Sequence, residues 1–192
     1  MQRRSFLKAV AGVAPAAAGL ETFLATQARA QASAPPPSGL LHVVGAGEDR
    51  FGHPHSLGFS SILFKVPASE TAGGIFVIEH THLLPGGPAL HLHLNQEEWF
   101  YVMEGEVAFQ VGEQRLHLHA GESVLAPRRV PHTFSSVGTA PARMIIAFCP
   151  AGKMEQYFRD GEAAGKAASE AAFMNRYEME WVGPSPFWKS QG

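Results

Sequence analysis

Three histidines and one glutamate have the residue types and the spacing of a metal site. His91 and His93 form a His-x-His pair, Glu98 follows shortly after, and His132 stands further along the chain. Residues i and i+2 of a β-strand point to the same face about 6.6 Å apart, so two imidazoles can converge on one ion. Three neutral imidazoles and one carboxylate suit a divalent transition metal, and we predict one such ion per chain, either Fe, Mn, Ni, Co, Cu or Zn.

A strand, a turn and a second strand have to position the first three of these ligands. The histidine pair is followed by a short polar stretch and then by an apolar run that opens with Glu98. An adjacent antiparallel strand can bring that carboxylate beside the imidazoles. Alternation along this second strand groups Glu98 with Phe100 and Val102 and leaves Trp99 and Tyr101 on the opposite face.

Apolar side chains share the faces of the predicted ligands. Phe100 and Val102 lie on the face of Glu98, and Phe134 lies on the face of His132. We predict that these three side chains wall an apolar substrate pocket around the metal, which would suit a flat or aromatic small molecule. Plain packing in the core is the alternative for all three.

The chain as far as Pro150 has the pattern of short strands separated by turn residues. The predicted strands are 56–66, 75–81, 90–94, 98–103, 107–111, 115–119, 123–126, 132–136 and 143–149. Many short strands at even spacing indicate an all-β barrel or jelly roll. Apolar residues then recur at helical spacing, which predicts helices over 153–160 and 166–176. The tail, 177–192, is predicted to be irregular chain packed on the barrel.

The other seven of the ten histidines need a separate interpretation. His42 stands alone, and the further pairs are His53/His55, His80/His82 and His117/His119. The last pair alternates with leucines, so it faces solvent if the leucines face the core. The middle pair precedes a Pro-Gly turn, where a surface position is favoured over the mouth of the barrel. The first pair flanks a proline in a loop and is predicted to be solvated, with a cover over the pocket as the alternative.

The first 30 residues have the order of features of an export signal. Arg3 and Arg4 begin the stretch RRSFLK, which resembles the twin-arginine signal motif, and an apolar run rich in Ala and Gly follows. A small-x-small cleavage pattern ends this segment at Ala30. We predict a twin-arginine signal peptide over 1–30, a Pro-rich linker over 31–38, and a periplasmic protein with no stable membrane insertion. An amphipathic first helix of the folded domain is the alternative.

Cysteine count and charge exclude several other classes of site. The single cysteine, Cys149, excludes an internal disulfide, a four-cysteine zinc site and an iron–sulfur cluster held by this chain alone. Its apolar neighbours predict a small buried side chain. The net charge is −2 for the whole chain and becomes −5 without residues 1–30, which gives no reason to expect nucleic-acid binding.

Two stretches around the predicted ligands resemble the two sequence motifs of the cupin family. The first motif, G-x5-H-x-H-x(3,4)-E-x6-G, is matched by His91, His93, Glu98 and Gly105, with its opening glycine displaced by one position to Gly86. Glu97 would fit the shorter gap, but only Glu98 leaves six residues before the closing glycine. The second motif, G-x5-P-x-G-x2-H-x3-N, is matched by Gly121, Pro127 and His132, while Arg129 and Ser136 replace its inner glycine and its asparagine.

The resemblance to cupins implies a fold, a ligand set and an assembly. The fold is an all-β double-stranded β-helix, or jelly-roll barrel, over residues 39–150, followed by two short C-terminal helices and a tail over 151–192. The metal ligands are the three histidines and the glutamate that match the motifs. Cupins often form dimers, so a homodimer is expected.

Single-domain cupins with three histidines and one glutamate resemble the quercetin 2,3-dioxygenase-like members of the family. This likeness implies a metal-dependent dioxygenase that takes dioxygen and a flavonol-like or other enol or phenol substrate, with Glu98 acting as general base as well as ligand. An exported, non-enzymatic cupin that binds a metal or a small molecule is an alternative, because one fold hosts many functions. A metal-dependent isomerase or decarboxylase is another, and it would need Arg143 or Lys65 to point inward.

Overall fold

Strands form most of the regular structure in residues 42–138 and 140–188, the part of the chain that this computed structural model describes. The predicted export signal and linker lie outside it. The strands are β1 (His55–Ser56), β2 (Ser61–Val66), β3 (Phe76–Leu83), β4 (Leu90–His93), β5 (Glu97–Glu104), β6 (Glu106–Val111), β7 (Gln114–His119), β8 (Ser123–Ala126), β9 (His132–Ser136), β10 (Ala142–Cys149) and β11 (Met179–Gly183). Strands β2 to β10 correspond to the nine predicted strands, of which the first is interrupted and yields both β1 and β2.

These strands form two antiparallel sheets. The six-stranded sheet has the order β1-β2-β3-β10-β5-β8, and the five-stranded sheet has the order β11-β4-β9-β6-β7. Strands that are distant in sequence are therefore neighbours in space, as in the jelly-roll architecture. The arrangement confirms the predicted all-β fold, with the core between the two sheets.

Strand β5 shows how alternation divides the two faces of a sheet. Phe100 and Val102 are fully buried, and Glu98 is buried beside them. Trp99 and Tyr101 point the other way and remain 38% and 36% exposed. The predicted division of this strand into a ligand-bearing face and an outer apolar face is therefore confirmed.

Strand β10 follows the same rule, and it corrects the prediction for the cysteine. Met144, Ile146 and Phe148 are buried at alternate positions. Cys149 has the opposite parity, ends the strand opposite Glu97, and is exposed. The prediction of a buried cysteine was wrong because the apolar run continues to a strand end whose last side chain points outward.

An aromatic cluster joins the six-stranded sheet to helix α1 (Met154–Ala164). Phe64 packs edge-on against Phe76 with ring centroids 5.0 Å apart, and Phe158 of the helix lies 5.9 Å from Phe148. The buried residues of the helix are Met154, Tyr157, Phe158 and Gly161, at the i, i+3, i+4, i+7 positions of one helical face. The helix therefore covers the interior of the barrel with its apolar face.

The second predicted helix, 166–176, is divided into three short pieces. Helix α2 covers only Ala171–Met174, and 3₁₀ turns occupy Gly165–Ser169 and Asn175–Tyr177. Glu170 interrupts the helix because its backbone is extended, with φ −91° and ψ 148°. In the part of the chain that is described, no helix is long and apolar enough to cross a membrane.

The tail corrects another expectation, because part of it is a strand rather than irregular chain. Met179 of β11 pairs with His93 of β4, and Trp181 pairs with His91. Only Met179 and Gly183 of this strand are buried, so its own hydrophobic alternation is weak. Hydrogen bonding to β4 therefore makes this segment a strand, which its local sequence pattern does not predict.

Candidate metal centre

The four predicted ligands come together from both sheets. His91 and His93 lie on β4, and His132 lies on β9 directly opposite His91. Glu98 lies on β5 in the other sheet and reaches across the interior. All four side chains are buried, so the site lies between the sheets inside the barrel.

The ligand atoms of these four residues converge on one point. One nitrogen or oxygen atom from each lies within 4.8 Å of the others. The Oε2 atom of Glu98 is 2.9 Å from Nε2 of His93 and 2.8 Å from Nε2 of His132. Distances of this size between ligand atoms are those of a set that can share one ion, whose bonds to nitrogen and oxygen are about 2.0–2.2 Å long.

Backbone hydrogen bonds orient two of the imidazoles. The Nδ1–H of His91 donates to the carbonyl of Ala89 over 2.8 Å, and the Nδ1–H of His132 donates to the carbonyl of Val130 over 2.9 Å. Each bond places the ring proton on Nδ1 and leaves the Nε2 lone pair directed at the cluster. Outer contacts of this kind fix the tautomer and the ring orientation of metal-binding histidines.

His93 supplies a test of whether these residues fit a metal. It is 1% exposed, and neither of its ring nitrogens has a hydrogen-bond partner among the described residues. A buried imidazole without partners is costly, and coordination of one nitrogen to an ion would remove that cost. Together with the donor set of three imidazoles and one carboxylate, this fits a divalent transition metal.

Electrostatics favour the protonation states that ligands need. Burial, with the neighbouring rings of His132 and His93, lowers the pKa of His91 to about 3, so this imidazole is neutral. Burial alone would raise the pKa of Glu98, but the close imidazoles of His132 and His93 outweigh it and hold the pKa well below its usual range. Neutral imidazoles beside an ionised carboxylate are the states that bind metal without first releasing protons.

A small cavity of about 30 Å³ adjoins the ligands. Its lining residues are Leu57, Phe59, His80, Pro88, His91, His93, Glu98, Phe134, Ile146, Phe148, Met154, Tyr157, Phe158 and Met179. Of the three predicted pocket walls, Phe134 lines this cavity. Phe100 and Val102 are absent from the lining and lie in the core, where the Phe100 ring is 5.5 Å from Phe134 and 6.0 Å from His132.

The structure corrects the surface prediction for His80. This residue is 1% exposed and lines the cavity, with Nδ1 2.7 Å from the hydroxyl oxygen of Ser60. Its neighbour in the pair, His82, is exposed as predicted. Regular alternation would place both histidines on one face, but the pairing of β3 with β10 is irregular between His80, opposite Met144, and Leu83, opposite Ala142.

His55 is also buried, contrary to the prediction that it is solvated. Its ring stacks on Phe64 with centroids 4.3 Å apart, and its Nδ1 lies 3.0 Å from a carboxylate oxygen of Glu162 in α1. His53 is exposed. The partners of His55 are distant in sequence, so no local pattern indicated its burial. The prediction for His117 and His119 is confirmed, since both are exposed.

The two cationic residues considered for an acid-binding site point away from the cavity. Arg143 binds the carboxylate of Glu79, with Nη2 2.6 Å from an oxygen, and also pairs with Glu104. The ammonium of Lys65 lies 3.4 Å from the other oxygen of Glu79. No arginine or lysine occurs among the described residues that line the cavity.

A larger pocket lies outside the cavity. It has a volume of about 560 Å³ and includes Glu162, Lys166 and Trp188 in its lining. Leu57 and Phe59 line both spaces. These two side chains therefore form the partition between the buried metal centre and the outer pocket.

Comparison with protein families gives a match over the segment that carries this centre. Residues 79–148, which contain all four ligands, match the family model described as a cupin domain. This match, with the jelly-roll topology, supports the cupin superfamily and agrees with the resemblance of the two motifs.

Two curated relatives match this chain over part of their length. The tetracenomycin polyketide synthase protein TcmJ of Streptomyces glaucescens is 27% identical over 97 residues, covering 50% of this chain and 64% of that protein. The uncharacterized protein MJ1618 of Methanocaldococcus jannaschii is 25% identical over 61 residues, covering 32% of this chain and 49% of that protein. The chain thus spans about half of one relative and less than two thirds of the other.

A solved structure of similar fold is that of Pac13 from Streptomyces, described as a nucleoside dehydratase. It is 10% identical, covers 76% of this chain and 93% of its own, and gives a TM-score of 0.50. At that identity the likeness concerns the fold alone. The chemistry of this chain has to be inferred from its own residues.

Proposed function

We propose that this protein is a metal-dependent cupin dioxygenase that acts on an enol or phenol substrate, including flavonol-like molecules. The observation that supports it most is the buried cluster of His91, His93, Glu98 and His132 beside an apolar cavity. A divalent metal held there would supply Lewis acidity, which lowers the pKa of a coordinated hydroxyl group.

The residues of this chain have three tasks in such a reaction. Glu98 is ionised, because its pKa is below its usual range. Its Oε2 faces the imidazoles as the ligand atom, which leaves Oε1 to accept the hydroxyl proton. His91 and His132 keep their lone pairs on the cluster through their backbone hydrogen bonds. Phe134, Ile146 and the other apolar lining residues exclude water from the activated substrate.

Entry of a substrate requires movement of the partition. A cavity of about 30 Å³ has the volume of a single water molecule, which is far less than a phenol needs. Leu57 and Phe59 lie in the short connection between β1 and β2, so a shift of this segment would join the cavity to the outer pocket. We therefore assign the outer pocket as the route of the substrate.

Oxygen consumption by the metal-loaded protein tests this function. We expect uptake of dioxygen with at least one member of a panel of flavonols, catechols and other enols. Uptake should be lost in Glu98→Ala and in His93→Ala, and the latter should also bind metal more than about 100-fold more weakly. His82→Ala is the matched control because it removes an exposed histidine, and it should keep both properties. Absence of uptake by the fully loaded protein across the panel would refute the proposal.

A second candidate is a non-enzymatic cupin that binds a metal or a very small ligand. The size of the cavity favours it, because a site of about 30 Å³ can hold a metal without any room for an organic substrate. Tight retention of the metal, with no oxygen uptake and no organic ligand bound, would support this candidate. An isomerase or decarboxylase of acids is not favoured, because Arg143 and Lys65 bind Glu79 on the outer side of the sheet.

Export and assembly belong to the same proposal. We propose that the chain leaves the cytoplasm by the twin-arginine route and acts in the periplasm as a homodimer. Export of an already folded protein would let the metal centre form before translocation. Substitution of Arg3 and Arg4 by lysine should retain the protein in the cytoplasm.

A further inference from the structure

His80 is a buried polar group that the metal centre does not use. It lies on the inner face of β3 and lines the same cavity as His91, His93 and Glu98. The Phe134 ring meets it edge-on at 5.8 Å, and the Phe59 ring stacks parallel to it at 6.4 Å. These contacts hold the imidazole in place on the wall of the cavity.

The hydrogen bonds of Ser60 determine which nitrogen of His80 carries the proton. The Ser60 hydroxyl donates to the carbonyl of Ser61 over 3.1 Å, so its proton is already committed. Its oxygen must then accept the bond from Nδ1 of His80, 2.7 Å away. The proton of a neutral His80 is therefore on Nδ1, and the lone pair is on Nε2.

The Nε2 atom of His80 is a free acceptor inside the cavity. It is buried and has no hydrogen-bond partner within the described ranges. Of the other polar side chains in the lining, three belong to the metal cluster, and the hydroxyl of Tyr157 donates to the carbonyl of Ala168 over 3.2 Å. Apart from the metal cluster, His80 Nε2 is thus the one buried side-chain nitrogen or oxygen of the described lining residues that has no hydrogen-bond partner.

The charge state of His80 agrees with this role. Burial lowers the pKa of His80 to about 4, against a smaller opposing effect of Glu98. At neutral pH the ring is uncharged, so Nε2 accepts a hydrogen bond and does not donate one.

We propose that His80 Nε2 binds a second donor group of the substrate, a hydroxyl next to the enol or phenol oxygen that reaches the metal centre. The preferred substrates are then vicinal diols of the catechol or 3-hydroxy-enol type, and molecules with one hydroxyl, or with the second one methylated, bind less well. This inference rests on the proposed function only in taking the metal centre as the binding place of the first oxygen.

Binding of catechol and of its monomethyl ether guaiacol tests the proposal without turnover. The protein is loaded with Co(II) under nitrogen, and the dissociation constant of each probe is measured from the visible spectrum of the metal. We divide the dissociation constant of guaiacol by that of catechol. This ratio should fall about tenfold in His80→Phe, which corresponds to one lost hydrogen bond. His80→Gln keeps an acceptor near the position of Nε2 and should restore part of the ratio. His82→Gln, two residues along the same strand, should leave it unchanged.

The ratio separates this role from simple chelation by the metal. Chelation of catechol by the metal alone would give the same ratio in the wild type and in His80→Phe, and that result would overturn the proposal. A wild-type ratio near one would also overturn it. A protein that binds catechol through His80 but consumes no oxygen would refute the dioxygenase function and leave this binding role standing.

A spectroscopic measurement covers the case in which the His80 variants do not fold. In the wild-type protein, ¹⁵N NMR of the imidazole should show the Nδ1–H tautomer. Catechol should shift the Nε2 resonance in the direction of an accepted hydrogen bond, and guaiacol should not. An Nε2–H tautomer, or equal shifts with both probes, would contradict the proposal.

Discussion

His93 depends more on the metal for its position than the other two histidines do. His91 and His132 each donate to a backbone carbonyl two residues before them, so their rings are oriented without an ion. His93 has no such bond, although its ring lies 5.4 Å from that of His132. The metal-free centre is therefore only partly preorganised, because no hydrogen bond orients the ring of His93.

Burial of His80 predicts a pH dependence of stability. Its pKa is about 4 in the folded protein and near 6.5 in the unfolded chain, so the unfolded chain binds more protons between these values. The free energy of unfolding therefore falls as the pH is lowered from about 6.5 to 4. The contribution of this one residue is roughly 3 kcal/mol over that interval.

Urea unfolding of the metal-free protein at a series of pH values measures this contribution. Wild type should lose roughly 3 kcal/mol more than His80→Phe between pH 7 and pH 4, because the phenyl ring cannot take up a proton. His91 titrates in both proteins, so its effect cancels in the difference. Parallel curves for the two proteins would show that His80 does not have the lowered pKa.

Residue-level predictions from the sequence succeeded where the partners are close in the chain. The spacing of His91, His93 and Glu98 is set by one strand, one turn and the next strand, and the structure brings these ligands together. The burial of His55 and His80 depends on Glu162 and on Ser60, which the sequence pattern does not connect to them. Local alternation cannot indicate such contacts.

The connection between β3 and β4 passes very close to β9. Gly87 has φ +65°, and a Cβ atom built on it would lie 1.7 Å from the carbonyl oxygen of Phe134. A glycine is required here for two reasons, the left-handed backbone and the close approach. This contact fixes the loop against the strand that carries His132 and the cavity wall.

Gly87→Ala should accordingly lower the free energy of unfolding by roughly 3 kcal/mol, because the loop must move away from β9 to admit the methyl group. Gly47→Ala is the matched control, since Gly47 has φ +72° with nothing within 4 Å of its Cβ position. It should cost only about 1 kcal/mol, the strain of the left-handed backbone. Equal losses in urea titrations of the two variants would contradict the close approach.

Element-level predictions depended on the strength of the local pattern. Strands β2 to β10 were predictable because apolar residues alternate between clear turn residues. Residues 166–176 do form helical turns, but the extended backbone of Glu170 interrupts them. Beyond this break, the ring of Phe173 packs 5.7 Å from that of Tyr157 in α1. Strand β11 was not predicted because it forms by pairing with β4, which is distant in sequence.

The outer face of the six-stranded sheet carries an apolar patch formed by Trp99, Tyr101 and Leu125. Trp99 and Tyr101 stack with ring centroids 5.9 Å apart, and Leu125 lies opposite Trp99 in the register of β5 and β8. Leu125 is 49% exposed. Exposed apolar side chains that adjoin one another are typical of interaction surfaces, and we assign this patch to the predicted homodimer.

Light scattering coupled to size exclusion tests that assembly. Trp99→Arg should convert a dimer into a monomer, because it places a charge in the centre of the patch. Leu84→Arg is the control, since Leu84 is exposed to a similar degree, 37%, but is not part of the patch. A wild-type protein that is monomeric, or a variant that remains dimeric, would contradict this assignment.

Pairing of β11 with β4 joins the tail to the candidate metal centre. Strand β4 has only four residues and meets β9 in a single register pair, whereas β11 pairs with both of its histidines. Docking of the tail and binding of the ion are therefore coupled equilibria, and each must strengthen the other by the same factor. Proteolytic removal of residues 179–183 would weaken metal binding without touching a ligand, and a bound ion would in turn protect the tail from proteolysis.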